Sequence, residues 1–329
     1  MGLTVRTSSA KEQLSKSAAT QSSGQTGSRD AGVPAPSAHD QPWFSNAIDR
    51  LRQDMKMLKL LSLVLVPLVF LQLACSHPMA RTPGQPALHS IVIYGDCKSG
   101  YAIHRQIVAD AVKIEPKAVF NAGDLVNNGS SAAQWAIFDD ITSEVRKIAP
   151  YYPALGNHDL PPALFLADFH LQNNERWYSV DIDGLHFLVL DTTSDISQSS
   201  EQYVWLEAEL QTLSRDFVAV VTHYPLLSTG NHGVDSDLSQ TLIPLFEEYH
   251  VDIVFSGHEH DYERSVKNGI YYVVTGGGGA SLRGKATTST YSQVFKKTHN
   301  FCTLSVVDGT VVVEAFDPAE NVIDQFTVN

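Results

Sequence analysis

Six residues of metal-ligand type recur along this chain in one setting. Asp96, Asp124, Asn157, His223, His258 and His260 each closely follow a short apolar run, and Gly95, Gly123, Gly156 and Gly257 stand beside four of them. Carboxylate, amide and imidazole donors in this mixture suit Mn, Fe or Zn about equally. His258 and His260 lie two positions apart, which presents two imidazoles to neighbouring points and suits two adjacent ions better than one. A single polar strand ending is usually only a turn. Five in order, all with ligand chemistry, call for a common destination. A closed structural zinc site is not that destination, because such sites favour Cys/His sets and neither Cys97 nor Cys302 has the spacing.

The elements needed to gather these residues are legible as alternating β-rich and helical runs. Strands are predicted over residues 89–94, 118–121, 151–155, 217–221 and 251–255, each ending just before one of the candidates, with the Ser256-to-Arg264 stretch read as the loop leaving the last. Helices are predicted over 103–112, 132–148, 203–213 and 238–249. In the second of these Trp135, Phe138, Ile141, Val145 and Ile148 form one apolar stripe. Residues 177–180 and 186–190, joined through Asp183-Gly184, read as a hairpin. Runs at 270–275, 303–307, 311–317 and 322–327 read as antiparallel strands. The pattern is a single α/β domain with a β-rich end. In α/β sheets the loops at the carboxyl ends of strands collect functional groups, and this rule brings the five endings together.

Taken in order, Asp96, Gly123-Asp124, Gly156-Asn157-His158-Asp159, His223 and Gly257-His258-Glu259-His260 resemble the motifs of the calcineurin-like metallophosphoesterases. The stretch from Gly257 to Arg264, the run Thr275 to Ala280, the helix holding Trp205-Leu206 and the stretch from Thr222 to Gly233 resemble the purple acid phosphatase branch. The likeness covers about residues 89–329. It implies a four-layer α/β/β/α sandwich of two mixed β-sheets flanked by helices, with a dinuclear metal centre of divalent or trivalent ions. It further implies that Asp124 bridges both ions, that Asp96 and His260 complete the first site, and that Asn157, His223 and His258 complete the second. His158 is expected to act catalytically on the leaving group or transition state, and His232 to contact the phosphate. The sequence departs from the family at two points. Lys98 stands where many relatives have a ligating His, and Asn127 stands where the purple enzymes have a ligating tyrosine.

Other residues receive plainer readings. Lys98 is either a phosphate contact or a solvated turn lysine. Gly276 to Gly279 lacks the Gly-Lys-Ser/Thr ending of a nucleotide-binding loop and reads as a tight turn beside the site. His104 is expected at the surface or as a cap, and His186, His250 and His299 are expected to be structural. Asp159, Glu259 and Asp261 are candidates to orient the ligand imidazoles. Cys97 and Cys302 are read as two separate buried thiols.

Charge divides the chain. Residues 1–75 carry 8 Lys/Arg against 5 Asp/Glu, and residues 76–329 carry 15 against 31. The acidic body argues against a nucleic-acid surface, which needs a cationic face. Residues 1–54 are polar and low in periodicity, and read as a disordered tail or a leader upstream of a start at Met55 or Met57. Residues 55–75 combine Lys56 and Lys59 with an apolar stretch, as in a signal peptide, lipoprotein signal or short membrane anchor, with Cys75 the candidate lipidation site. Residues 76–88 read as a linker and 89–329 as the folded domain. The expected protein is exported (periplasmic or extracellular), with any membrane contact confined to the N-terminal segment. The function expected from the resemblance is hydrolysis of phosphate esters, phosphomonoesters foremost, by a metal-bridging hydroxide. Alternatives are a phosphodiesterase or nucleotidase on the same centre, and a non-catalytic binding scaffold of the same fold.

Overall fold

Strand β1 (Ile91–Tyr94) shows how the chain builds its centre: Ile91 and Ile93 join one apolar cluster while Val92 and Tyr94 join another. A strand buried on both faces reads as a continuous apolar run rather than an alternating one. The computed structural model describes residues 86–213 and 217–328. The tail 1–54, the export segment 55–75 with Cys75, and linker residues 76–85 lie outside these described residues.

Two sheets carry the domain. In the first, β2 (Ala118–Asn121) and β3 (Tyr151–Pro153) run parallel to β1 on one side, and β11 (Phe301–Val307), β12 (Thr310–Phe316) and β13 (Val322–Val328) run antiparallel on the other. The second sheet has a parallel centre of β5 (Leu185–Val189), β6 (Val218–Val221), β7 (Ile253–Ser256) and β9 (Ile270–Thr275). Antiparallel strands β4 (Tyr178–Ile182), β8 (Tyr262–Lys267) and β10 (Ser292–Lys296) extend it at its two edges.

Three apolar clusters separate four layers. Ile93, Phe120, Phe187, Val221, Phe255 and Val273 meet between the sheets. Helices α1 (Tyr101–Ile114), α2 (Ala132–Ile148) and α3 (Ala163–Asp168) cover the outer face of the first sheet. Helices α4 (Glu201–Thr212) and α5 (Ser236–Glu248) cover the second. This is the α/β/β/α sandwich expected from the sequence. The β4–β5 hairpin also forms as expected, its turn made by Asp183 at φ 53° and Gly184 at φ 83°.

Three local expectations are corrected. The loop leaving β7 is shorter than expected, because Tyr262, Glu263 and Arg264 already belong to β8, with the Tyr262 ring fully buried. Strand β9 is parallel to β7 as well as antiparallel to β8, so it extends the core sheet instead of starting an antiparallel run. The stripe of α2 ends at Val145, since Ile148 in the last turn is 51% exposed. Helix α3 and strand β10 lie in segments too short or too polar to show a period. The cysteines agree with the reading: Cys97 and Cys302 are buried free thiols.

His104 also differs from expectation. It is 1% exposed, its Nε2 lies 3.0 Å from the Tyr94 hydroxyl, and its ring stacks on Phe138 at 5.8 Å. Burial, with a smaller push from Arg105, lowers its pKa to about 3. An unfolded histidine titrates at roughly 6.5. Between these values the unfolded chain binds the extra proton, so His104's contribution to stability is complete above pH 6.5 and is lost as pH falls toward 3. We predict that His104→Phe loses less stability than the parent on going from pH 7 to pH 4.5, measured by urea unfolding. Equal acid loss in both proteins would contradict this.

Candidate metal centre

Each candidate ligand leaves the carboxyl end of a parallel strand. Asp96 follows β1, Asp124 follows β2, Asn157 follows β3, His223 follows β6, and His258 and His260 follow β7. Loops from the two sheets are stitched directly: Gly95 N donates to Thr275 O (2.9 Å), Gly278 N to Gly95 O (2.8 Å) and Ala280 N to Asp96 O (2.9 Å). The glycine run 276–279 is therefore the tight turn expected beside the site. Any Cβ at Gly278 would meet the Gly95 carbonyl. Strain concentrates here as well. Asp96, Asp124 and His258 sit at φ 58°, 60° and 68°, in the left-handed region that side chains rarely adopt.

The chemistry of the centre lies in which atoms face one another. Asp96 and Asp124 are wholly buried, and donor atoms of Asp96, Asp124 and His223 all fall within 4.8 Å of each other. His223 Nδ1 lies 2.9 Å from Ala122 O, and His260 Nδ1 lies 2.8 Å from Ser281 O. A carbonyl can only accept, so each Nδ1 carries a hydrogen, and each ring in its neutral form presents Nε2 as a lone pair. Those lone pairs point at other acceptors. His223 Nε2 stands 3.0 Å from Asn157 Oδ1 and 3.5 Å from Asp124 Oδ1. His260 Nε2 stands 3.3 Å from Asp96 Oδ1, and both atoms are buried without a hydrogen-bond partner. Acceptors facing acceptors repel unless a cation lies among them. The residues thus fit metal ions at two adjoining positions.

The remaining oxygens are fixed by backbone. Asp96 Oδ2 accepts from His258 N (2.7 Å) and Asp124 Oδ1 from His158 N (2.9 Å). Burial raises the Asp124 pKa, but a charged His223, Lys98 and the His158 N–H outweigh it and hold the carboxyl well below the usual range. His258 is pushed down to about 3 by burial and then by His223 and His232, so its ring is neutral at physiological pH.

The expected imidazole-orienting carboxylates do something else. Asp159 accepts from the N–H groups of Asp124 (2.9 Å), Leu125 (2.9 Å), Val126 (3.1 Å) and Gly156 (2.9 Å), clamping the loops that carry Asp124 and Asn157. Glu259 Oε1 accepts from the N–H groups of His232 and Gly233 and so holds the His232 loop. Asp261 is buried with neither oxygen bonded, and burial, then Glu259, Glu263 and Asp96, push it up to about 8. Backbone carbonyls orient the imidazoles instead, and they carry no sequence signal.

Around the candidate metal positions, His158 Nδ1 lies 3.0 Å from Asn127 O, which leaves Nε2 outside that contact. The Asn127 side chain itself is exposed. His232 stacks on His258 with ring centres 4.5 Å apart, which places it beside the candidate ligands. A cleft of about 300 Å³ opens there between Tyr224, Pro225, Val234, Asp235 and these two histidines. Arg283, not anticipated from the sequence, hydrogen-bonds His232 Nδ1. It lies in an irregular loop, with no strand ending to mark it.

A family model described as calcineurin-like phosphoesterase matches residues 69–262. The chain belongs to that family. It is similar to "Probable inactive purple acid phosphatase 27" of Arabidopsis thaliana, at 27% identity over 315 residues, covering 75% of this chain and 51% of the relative. It is also similar to "Purple acid phosphatase 18" of the same plant, at 30% identity over 168 residues, covering 45% of this chain and 38% of the relative. This phosphoesterase-family chain thus spans about half or less of the length of these two curated relatives. Its fold matches that of a purple acid phosphatase from yellow lupin seeds, with TM-score 0.67, 24% identity and coverage of 76% of this chain and 55% of that one.

The clamp made by Asp159 generates a prediction. Asp159→Ala leaves four buried N–H groups without an acceptor, so it should destabilise the domain by at least ~1–3 kcal/mol. It should also weaken Mn(II) binding by about 10–100-fold. Urea unfolding and calorimetric titration measure the two. Unchanged metal affinity would show that the clamp does not position Asp124.

Proposed function

We propose that this chain hydrolyses phosphate esters, phosphomonoesters foremost, at a two-position metal centre. The observation that carries this reading is the pair of buried acceptor-to-acceptor contacts, His223 with Asn157 and Asp124 on one side and His260 with Asp96 on the other. The first position is assigned to Asp96, Asp124 and His260, and the second to Asp124, Asn157, His223 and His258. Iron, manganese or zinc ions held there would supply positive charge for the phosphoryl oxygens and an acidified water as nucleophile.

The chain's own groups divide the remaining work. His158, anchored through Nδ1–H to the Asn127 carbonyl, acts in its doubly protonated form, giving the Nε2 proton to the departing alkoxide and becoming the neutral ring. Arg283 occupies His232 Nδ1, which leaves the hydrogen of the neutral ring on Nε2 as a donor to a phosphate oxygen. Burial, and after it Arg283, lowers the His232 pKa, in keeping with that neutral ring. The cleft beside Tyr224 takes the ester group. Export of the protein through residues 55–75 is part of the same proposal. Among the described residues, no helix is long and apolar enough to cross a membrane.

Assays of the purified chain with aryl phosphate mono- and diesters, with Mn, Fe or Zn added, test the reading. Hydrolysis of the monoester should exceed that of the diester and should vanish with chelator. His158→Ala should keep its metal and lose about 10²–10⁴ in rate, the usual worth of a general acid. Asp124→Asn should lose both metal and rate. No hydrolysis under any of these metals would sink the enzymatic reading and favour a binding scaffold.

A further inference from the structure

Lys98 departs from one of the two descriptions its sequence position invited. It is 6% exposed, so it is no solvated turn residue. Its ammonium is hydrogen-bonded to Asp124 Oδ2 and lies 3.8 Å from Asp96 Oδ1. Those carboxylates are the two anionic ligands of the first metal position, and Asp96 Oδ1 is the atom that faces His260 Nε2. A protonated lysine donates three hydrogens and coordinates nothing. Its positive charge therefore competes with an ion for the same oxygens. The second position feels this less, because it uses the other Asp124 oxygen, Oδ1, together with Asn157 and His223.

We propose that Lys98 is a built-in competitor for the first metal position. An ion entering beside Asp96 and His260 must displace the ammonium from Asp124 Oδ2, whereas an ion entering beside Asn157 and His223 need not. The centre therefore binds two ions unequally, the second position tightly and the first weakly and exchangeably. When the first ion leaves, Lys98 neutralises the carboxylates and keeps the loops closed. This rests on the two-position centre proposed above.

Calorimetric titration of the full chain with Mn(II), backed by elemental analysis after gel filtration, tests it. The parent should show two affinity classes at least about tenfold apart, a difference of ~1.4 kcal/mol. His260→Ala should remove the weaker class and His223→Ala the tighter. Lys98→Met, which keeps the stem without the charge, should tighten the weaker class by about tenfold or more, while Lys98→Arg should leave it weak. If Lys98→Met folds only in Mn(II), its ion count after gel filtration should be two where the parent retains one. Equal affinities in the parent, or a Lys98→Met protein whose first position is unchanged or weaker, would overturn the competition while leaving the metal centre standing. No Mn(II) bound by any of the proteins would overturn both.

Discussion

Two carboxylates with no access to water, Asp96 and Asp124, set the terms for everything around them. A buried anion is costly unless it is paired, and here the neighbouring imidazoles add lone pairs of their own, because backbone carbonyls hold their other nitrogens. The only protein cation bonded to either carboxylate is Lys98, among the described residues. One ammonium does not match two carboxylates, and Asp96 Oδ1 and His260 Nε2 are left without a hydrogen bond. The arrangement calls for metal ions, and the local fold is organised to hold it in place.

The fold holds it by joining two sheets at one end. The parallel strands of each sheet end on the same side, and glycines let their loops approach backbone to backbone. Without that closeness Asp96, from the first sheet, would not reach His258 N and His260 from the second. Three of the candidate ligands adopt left-handed backbone conformations, a cost recovered through the packing of both sheets against their helices. Asp159 and Glu259 stabilise the turns by accepting backbone hydrogens, which fixes the loops that carry Asp124, Asn157 and His232.

Much of this was legible in the sequence because burial on both faces writes continuous apolar runs, and each run ends on a residue with ligand chemistry. Asp96, Asp124, Asn157, His223, His258 and His260 could be placed at one end of the sheets on that basis, and the family resemblance divided them into two positions. What stayed hidden depended on contacts distant in sequence. His104 looked like a surface residue because nothing local shows that Tyr94 and Phe138 close over it. Lys98 was ambiguous because its partner Asp124 lies on the next strand's loop. Arg283 and the carbonyls of Ala122 and Ser281 carry no periodic or motif signal at all. Strand β8 was masked by a motif so rich in polar residues that it reads as loop.

The central claim is that the acceptor clusters on either side of Asp124 are cation positions. Crystals grown in Mn(II) and measured at the manganese absorption edge test it most directly. Anomalous peaks should appear on both sides of Asp124, one contacting His223, His258 and Asn157 and the other contacting Asp96 and His260. Full manganese occupancy elsewhere in the molecule, with no anomalous density beside Asp124, would contradict the account.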